Sequence, residues 1–462
     1  MSFTDKYTKA FKNLLPAPFT IAVVLTIVTF IIAFFTTRPA TENVGSYAIQ
    51  LLKYWEAGIW NSGLLVFAMQ MMLMLVLGHV LALTIPVNSI INLAVKKCNS
   101  TAKAAALVTL LTVLVSLFNW GLGLIFGAIF ARKVAEHATR LKIKLNYPLV
   151  GAAGYSGLMV WHGGLSGSSL AKVAEPGHLK VMMTGIISET EIALLPEKIS
   201  YWDTVGSNMN LFVIALLVIV LPAAMYWMGK RVKSTLIDVS DNEAKNEITK
   251  IEGAEKLDHS MLFSLIFGGI VLFYVGYKIV VDYDFNFLNF FTPNNINLLL
   301  LALAIVLHQS FFNFLKAIDK AIGGASGILI QFPFYFGIMG LMKSSGLVTD
   351  ISGFFVEISN ETTYPIFTFL SAGLVNIFVP SGGGQWAVQG PIIVQAASDL
   401  GISLPKSIMA LAYGDQLTNM LQPFWALPLL GITGLKAKEI LPYTLFLMLI
   451  GTVIYLSGLL IF

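Results

Sequence analysis

Apolar residues run along this chain in blocks long enough to cross a bilayer, and polar residues gather between the blocks. Seven blocks, at Leu14–Phe35, Gly58–Leu83, Asn208–Met228, Met261–Val281, Asn297–Phe314, Ile322–Met342 and Leu441–Phe462, are nearly free of charge. Each reaches the roughly 18 residues that mark a candidate crossing of a hydrocarbon core about 30 Å thick, so each predicts a transmembrane helix. Four further blocks carry an interruption. Ala104–Phe130 is broken at Asn119-Trp-Gly-Leu-Gly123, Tyr147–Leu170 at Trp161-His-Gly-Gly-Leu-Ser-Gly-Ser168, and Ser407–Leu430 within Tyr413-Gly-Asp-Gln-Leu-Thr-Asn-Met-Leu-Gln-Pro423. The fourth is Val379-Pro-Ser-Gly-Gly-Gly-Gln-Trp-Ala-Val-Gln-Gly-Pro391.

That fourth string cannot stay helical through its length. Pro380 removes a backbone donor, and Gly382, Gly383 and Gly384 each cost roughly 1 kcal/mol against alanine in a helix interior. Irregular backbone at membrane depth is tolerated only where protein buries it or a watery cavity meets it. The string is therefore expected to form the tip of a re-entrant hairpin at a binding site.

Charge between the blocks sets the expected orientation. Lys96, Lys97 and Lys103 precede the Asn119 break, and Arg132, Lys133, Arg140, Lys142 and Lys144 follow it. Positive charge on both flanks places both ends on the cytoplasmic side, so this block is read as a hairpin that returns to its own side. Lys6, Lys9 and Lys12 put the N-terminus in the cytoplasm, and no small-residue cleavage pattern follows, so the first block reads as a retained span. Asp350, Glu357 and Glu361 lie on the outer side, so the second hairpin is entered from outside. Gly229–Ser260 is the charge-dense stretch and reads as a cytoplasmic linker.

Composition agrees with this pattern and removes alternatives. Hydrophobic residues make up 56% and charged residues 12% of 462 positions, against about 25% charged in a soluble domain, and mean hydropathy is +0.78. The chain reads as a multi-pass protein of the bilayer. Twenty-nine Lys and Arg against 25 Asp and Glu, spread through the loops, indicate orientation and no nucleic-acid partner. Cys98 is the single cysteine, which excludes an internal disulfide and any cysteine-based metal site. No cofactor is expected.

The order of regular and broken blocks repeats. Leu141-Lys-Ile-Lys-Leu145 aligns with Leu400-Gly-Ile-Ser-Leu404 at an offset of 259, and the same offset brings the His162 break near the Gln422 break. Each half reads as two regular spans, a hairpin, a broken span and a regular span. The Met261–Val281 span between them makes corresponding elements an odd number of crossings apart, which inverts the second half. The expected architecture is an all-α polytopic membrane protein of two inverted-topology repeats, each with a re-entrant hairpin and a broken transmembrane helix. Residues 1–229 form the first repeat, 230–260 the linker, 261–286 a connecting helix and 287–462 the second repeat.

Several strings resemble the bacterial short-chain fatty acid transporter family. They are Met69-Gln-Met71 with Gly78-His79, Asn119-Trp-Gly-Leu-Gly-Leu124, Gln331-Phe-Pro-Phe-Tyr335, Pro380-Ser-Gly-Gly-Gly-Gln-Trp386 and Tyr413–Pro423. The resemblance spans nearly the whole chain. It implies a place in a larger ion-transporter superfamily that includes sodium-coupled dicarboxylate carriers, a small carboxylate as cargo, the cytoplasmic (inner) membrane of a bacterium, and a homodimer. The residues by themselves imply only a carrier for something small.

The breaks nonetheless fit an anionic cargo. They contain no Lys or Arg, so a carboxylate there is held by helix N-termini, which expose unpaired N–H groups and carry about half a positive charge. Gly121, Gly163, Gly382, Gly383 and Gly384 allow close backbone approach. Asn119, His162, Ser166, Ser168, Ser381, Gln385, Thr418, Asn419 and Gln422 add side-chain partners. Trp120, Trp161, Trp386 and Trp425 supply aromatic surface for a short acyl tail. Polar donors at one end and aromatic surface at the other suit a monocarboxylate better than a dicarboxylate. The bland alternatives are close helix packing for the glycines, aromatic packing for the tryptophans, and helix-packing roles for His79 and His308. Gln70 and Gln331 read as interhelical hydrogen-bonding residues.

Asp415 is the only carboxylate between Leu404 and Gly434, and an intramembrane carboxylate is costly and usually functional. Two roles fit it: a sodium ligand together with Thr418, Asn419 and unwound carbonyls, or a proton carrier, with His162 as the alternative proton site. A capping carboxylate is the structural reading. A membrane enzyme is disfavoured, because Gly154-Tyr-Ser-Gly-Leu158 misses the G-x-S-x-G spacing of a nucleophile elbow and no strand precedes it. A passive anion channel and a dicarboxylate carrier remain the rivals.

Overall fold

The computed structural model describes residues 17–184, 187–239, 253–285, 290 and 292–462. The N-terminal lysines and residues 240–252 of the charged stretch lie outside them. Seven helical stretches among the described residues are long and apolar enough to cross a membrane: Phe19–Thr36, Ser62–Ala82, Thr101–Phe118, Asn208–Arg231, Met261–Asp282, Phe311–Ser344 and Ala437–Ile461. Helices start where the sequence supplies a cap. Asn61 Oδ1 accepts the Leu64 N–H at 3.1 Å, Ser207 Oγ that of Asn210 at 3.2 Å and Ser310 Oγ that of Asn313 at 3.2 Å.

The helix inventory exceeds the hydropathy reading. Val44–Ile59 is a helix that Lys53 and Glu56 conceal from a hydropathy window. It packs on Ser326–Ser344 so closely that a Cβ built on Gly58 falls 2.3 Å from the Phe336 carbonyl oxygen and one on Gly340 falls 2.6 Å from that of Tyr54. The expected span Asn297–Phe314 is two elements, Pro293–His308 and Phe311–Ala321, divided at Gln309, whose φ is 62°. Short helices Ile85–Val95 and Leu347–Glu357 precede the two hairpin segments. After the first broken span, the stretch Ala171–Val205 holds the end of the helix Ser168–Val173 and the short helices His178–Met183 and Glu189–Leu194.

Both hairpin segments use one device at the turn. Thr101–Phe118 and Trp120–Arg140 meet at Asn119, which is extended (φ −150°, ψ 124°) and caps the Leu122 N–H at 3.0 Å. Tyr364–Phe378 leads through Val379 and Pro380 to Ser381, also extended (φ −154°, ψ 102°), whose Oγ accepts the Gly384 N–H at 3.1 Å before Gly382–Asp399. Each turn therefore ends one helix and presents the N-terminus of the next.

The broken spans cross beside these turns. The first consists of Tyr147–Tyr155, the 3-10 turns Ser156–Met159 and Trp161–Gly163, and Ser168–Val173. The second is Leu404–Thr418, the turn Asn419–Leu421 and Pro423–Thr433. Each break leaves carbonyls and N–H groups without helical partners, and side chains from elsewhere meet them. Tyr155 Oη donates to the Asn419 and Gln422 carbonyls (2.9 and 3.1 Å), and Asn419 Nδ2 donates back to the Leu158 carbonyl at 3.1 Å. Tyr455 Oη serves the Met159 carbonyl at 2.5 Å and Thr444 Oγ1 that of Met420 at 2.6 Å. Gln416 Oε1 accepts the N–H groups of His162 and Gly163 at 2.7 and 3.2 Å.

Two predictions follow from this architecture. Removing the Tyr155 hydroxyl takes the side-chain donor from the buried Gln422 carbonyl, while the Asn419 carbonyl keeps the Gln422 N–H, so Tyr155→Phe costs about 1–3 kcal/mol and lowers the thermal unfolding midpoint in detergent; an unchanged midpoint would show the Gln422 carbonyl satisfied by another donor. From the charge pattern, Arg140 is expected inside and the end of the second hairpin segment outside. Gly401 follows that segment but sits at φ 65°, where a cysteine is strained, so the exposed Asp399 is the better reporter. In a Cys98→Ser background, an impermeant maleimide on whole cells is expected to label Asp399→Cys and not Arg140→Cys, and the opposite pattern would invert the topology.

Candidate functional site

The two turns face a cavity of about 1200 Å³. Asn119 and Trp120 of the first turn, Gly383 of the second, and Ser166 and Ser168 of the first broken span line its inner part. Lys172, Glu175, Lys198 and Trp202 line it further out, and Trp202 is 81% exposed. The volume exceeds what a small acid fills, and the turns form only part of its wall. Gly383 is where the backbone meets the cavity: nothing lies within 4 Å of a Cβ built there. As the second residue of Gly382–Asp399 it has no intrahelical acceptor for its N–H, and it stands at the positive end of that helix.

Beneath this floor lies a buried ionisable pair. His162 is 0% and Asp415 1% exposed, and His162 Nδ1 contacts Asp415 Oδ2 directly. The Ser169 backbone N–H donates to His162 Nε2 at 3.1 Å, with Ser169 Oγ 2.8 Å from the same nitrogen. An amide N–H is always a donor, so Nε2 is an acceptor and the ring proton sits on Nδ1, toward the carboxylate. Trp161 stacks on the imidazole (centroids 4.5 Å apart, planes at 16°). Gly382 closes the other side: a Cβ there would fall 2.9 Å from His162 Cε1, 3.0 Å from the Trp161 ring and 3.4 Å from Asp415 Oδ2. Only glycine lets the second turn sit this close. Asp415 Oδ1 is buried and has no hydrogen-bond partner among the described residues.

The predicted polar residues divide into two sets. Asn119, Ser166, Ser168 and Gly383 reach the cavity, although Ser166 Oγ also accepts the Trp120 N–H at 3.0 Å. Gln385, Thr418, Asn419 and Gln422 turn into the protein. Gln385 Nε2 donates to the Ala372 carbonyl at 2.9 Å and to Gln389 Oε1 at 2.7 Å, joining the two legs of the second hairpin segment. Asn376 Nδ2 faces the Asp415 carbonyl at 2.6 Å and Thr418 Oγ1 and Asn419 Oδ1 at 3.0 Å each, three oxygens for two protons. Gln422 Nε2 donates to the Asn376 carbonyl. Gly121, Gly163 and Gly384 pack against Met74 Sδ, Asn210 Oδ1 and Ser381 Oγ.

Three of the four tryptophans converge. Trp120 lies 5.9 Å from Trp161 and 5.2 Å from Trp425 between centroids, and Phe67 joins at 6.2 Å from Trp120. Trp386 stands apart and pairs with His178. His308 Nε2 meets the Val80 carbonyl at 3.0 Å and Gln70 Nε2 meets Asn294 Oδ1 at 2.8 Å, the helix-packing roles expected of them.

Sequence reasoning missed Asn376, Asn210, Gln416, Tyr413, Tyr455, Ser169 and His178. Asn376 had a usable signal, since it is the lone amide in an apolar helix, Tyr364–Phe378. The tyrosines had none, because a tyrosine in an apolar block reads as packing until its partner carbonyl is known.

Comparison with known proteins supplies the family. The family model described as short chain fatty acid transporter matches residues 2–462. A relative from Escherichia coli (strain K12), provisionally named short-chain fatty acid transporter, is 36% identical over 461 residues, covering 98% of each chain. One of the same name from Haemophilus influenzae is 36% identical over 464 residues, covering 99% of this chain and 97% of that one. Two solved structures align over most of the chain at low identity. The Alcanivorax borkumensis YdaH transporter has TM-score 0.46 and 15% identity, covering 96% of this chain and 97% of its own. Neisseria gonorrhoeae MtrF, described among antimetabolite efflux pumps, has TM-score 0.43 and 14% identity over 98% and 97%. The full-length family match and the two full-length relatives, together with the helical architecture, show that the chain belongs to the short chain fatty acid transporter family.

Proposed function

We propose that this protein carries short-chain monocarboxylates across the cytoplasmic membrane by alternating access coupled to a cation. The observation that carries the reading is Gly383, a glycine at a helix N-terminus that faces an open cavity with room for a ligand against its backbone. In this reading the Gly382 and Gly383 N–H groups meet the carboxylate, and the Trp120 face, with Trp161 and Trp425 behind it, receives the acyl tail. The absence of any basic residue in the breaks favours a singly charged, readily released anion, and Lys198 in the cavity wall raises its local concentration.

Element order supports two inverted repeats with wider content than the hydropathy pattern gave. Pro18–Thr36, Val44–Ile59, Ser62–Ala82 and Ile85–Val95 precede the first hairpin segment, and Pro293–His308, Phe311–Ala321, Ser326–Ser344 and Leu347–Glu357 precede the second in the same succession. A pair of helices joined at a turn and an interrupted helix follow in each half, and Asn208–Arg231 and Ala437–Ile461 complete them. The turns of both halves then meet at one cavity, the arrangement that lets one site be exposed to either side.

Coupling rests on Asp415. Oδ2 is taken by a neutral imidazole, so the ionised carboxylate keeps a full negative charge in a buried place, with Oδ1 unpartnered. An uncompensated buried charge is costly enough to demand a cation, and a proton or sodium ion at Oδ1 supplies it. Thr418 and Asn419, the expected co-ligands, face Asn376 instead, so a metal ion there requires that amide to turn.

Uptake by purified protein in vesicles, with acids of two to six carbons and imposed sodium or proton gradients, tests the whole reading: saturable flux with counterflow supports a carrier, and non-saturating conductance rejects it. Gly383→Val points into empty space, so it is expected to keep the wild-type unfolding midpoint while weakening butyrate by at least about tenfold, or 1.4 kcal/mol; normal transport by this variant would move the site elsewhere. Asp415→Asn preserves size and removes the charge. It is expected to abolish gradient-driven accumulation and leave exchange of labelled for unlabelled butyrate intact, and accumulation by the variant would make Asp415 structural.

A further inference from the structure

A contact at the edge of the cavity joins the second hairpin segment to the stretch between the first broken span and Asn208–Arg231. Trp386 stands one turn after the Gly382–Gly384 start of its helix, and its side chain is 2% exposed. Its ring lies over Gly390, where an added Cβ would come within 3.0 Å of the indole. The indole Nε1 lies 3.0 Å from His178 Nε2, and the two ring planes are 29° apart. His178 opens the short helix His178–Met183 and is half-buried. Glu175 and Pro176, three and two residues before it, line the same cavity as Gly383.

The chemistry of this contact is one-directional. An indole nitrogen only donates, so His178 Nε2 must be an unprotonated acceptor and the imidazole must be neutral. Protonation turns both ring nitrogens into donors. The contact then becomes donor against donor, and a nearly buried indole N–H loses its acceptor. We infer that His178 is a positioning residue for the second hairpin: its neutral imidazole pins the hairpin near its tip, and its protonation releases it.

The charged groups around His178 are few. Burial, the largest influence, lowers its proton affinity below the ordinary value, Glu175 raises it, and Lys172 lowers it. Lys180, on the same short helix, is paired with Glu197 at 2.8 Å. The hairpin residues Gly382–Ser398 contribute no ionisable group. The sign follows from the lowered affinity. The pinned state is fully favoured above the ordinary imidazole value of about 6.5 and loses ground as pH falls through the lowered value, so acid on the cavity side loosens the tip.

The contact can be read without reference to cargo through the Trp386 indole ¹⁵N–¹H resonance, assigned by its loss in Trp386→Phe. In purified full-length protein this resonance is expected to shift in one step with a midpoint below about 6.5. His178→Gln offers an amide oxygen to the indole and does not titrate, so its resonance should stay at the high-pH position throughout. His178→Arg can only donate and should hold the resonance at the low-pH position. Butyrate exchange in vesicles at one pH, corrected for flux through protein-free vesicles, should differ by about fivefold between the two variants, as loss of one hydrogen bond of ordinary strength implies. A step that persists in His178→Gln, or identical behaviour of the two variants, would overturn the assignment. A pH-independent wild-type resonance would do so as well.

Discussion

A broken helix inside a membrane exposes backbone groups that lipid cannot satisfy, and the rest of this structure depends on how two such breaks satisfy each other. Tyr155 of the first broken span serves the Asn419 and Gln422 carbonyls of the second, and Asn419 serves Leu158 of the first. Gln416 of the second span then holds the N–H groups of His162 and Gly163. An unsatisfied backbone group costs several kcal/mol in hydrocarbon, so neither break is stable without the other. This reciprocity fixes where the spans cross, and the crossing brings His162 against Asp415.

The same constraint explains why the hairpin tips carry glycine. At Gly382 the absence of a side chain permits contact with the imidazole and with Trp161. One residue later, Gly383 meets open space. Two neighbouring glycines thus serve opposite purposes, one for closure against protein and one for access to ligand. A sequence string of three glycines cannot distinguish them, because the difference lies in which way each Cα hydrogen points once the helix begins at Ser381.

Much of the fold was legible because the bilayer demands long apolar runs and permits breaks only at special places. The expected spans recur as helices within a few residues at Asn208–Arg231 and Ala437–Ile461. Val44–Ile59 was hidden because Lys53 and Glu56 interrupt its hydropathy, while its packing on Ser326–Ser344 depends on Gly58 and Gly340, which carry no hydropathy signal of a span. Within the site, the sequence singled out Asp415 and His162 separately, and only their crossing makes them a pair. Trp386 was grouped with the other tryptophans by composition; its partner His178 lies 208 positions away in sequence, beyond any local pattern.

The two turns differ in what holds them, and that difference bears on how such a protein moves. The first is anchored through its own backbone: Ser166 takes the Trp120 N–H, and Ser116 Oγ occupies the space beside Gly123 and Gly157. The second is tied on its first leg, where Asn376 donates to the Asp415 carbonyl and accepts from Gln422 Nε2, whereas its second leg rests on ring faces at Gly382 and one indole hydrogen bond at Trp386. Ring-face contacts are short-ranged and depend on shape, so a small displacement removes them without leaving a backbone group unpaired. The first turn cannot shift without stranding the Trp120 N–H. A displacement at the start of Gly382–Asp399 is therefore less costly than one at the first turn, since it breaks shape contacts at Gly382 and one indole hydrogen bond and strands no backbone group there.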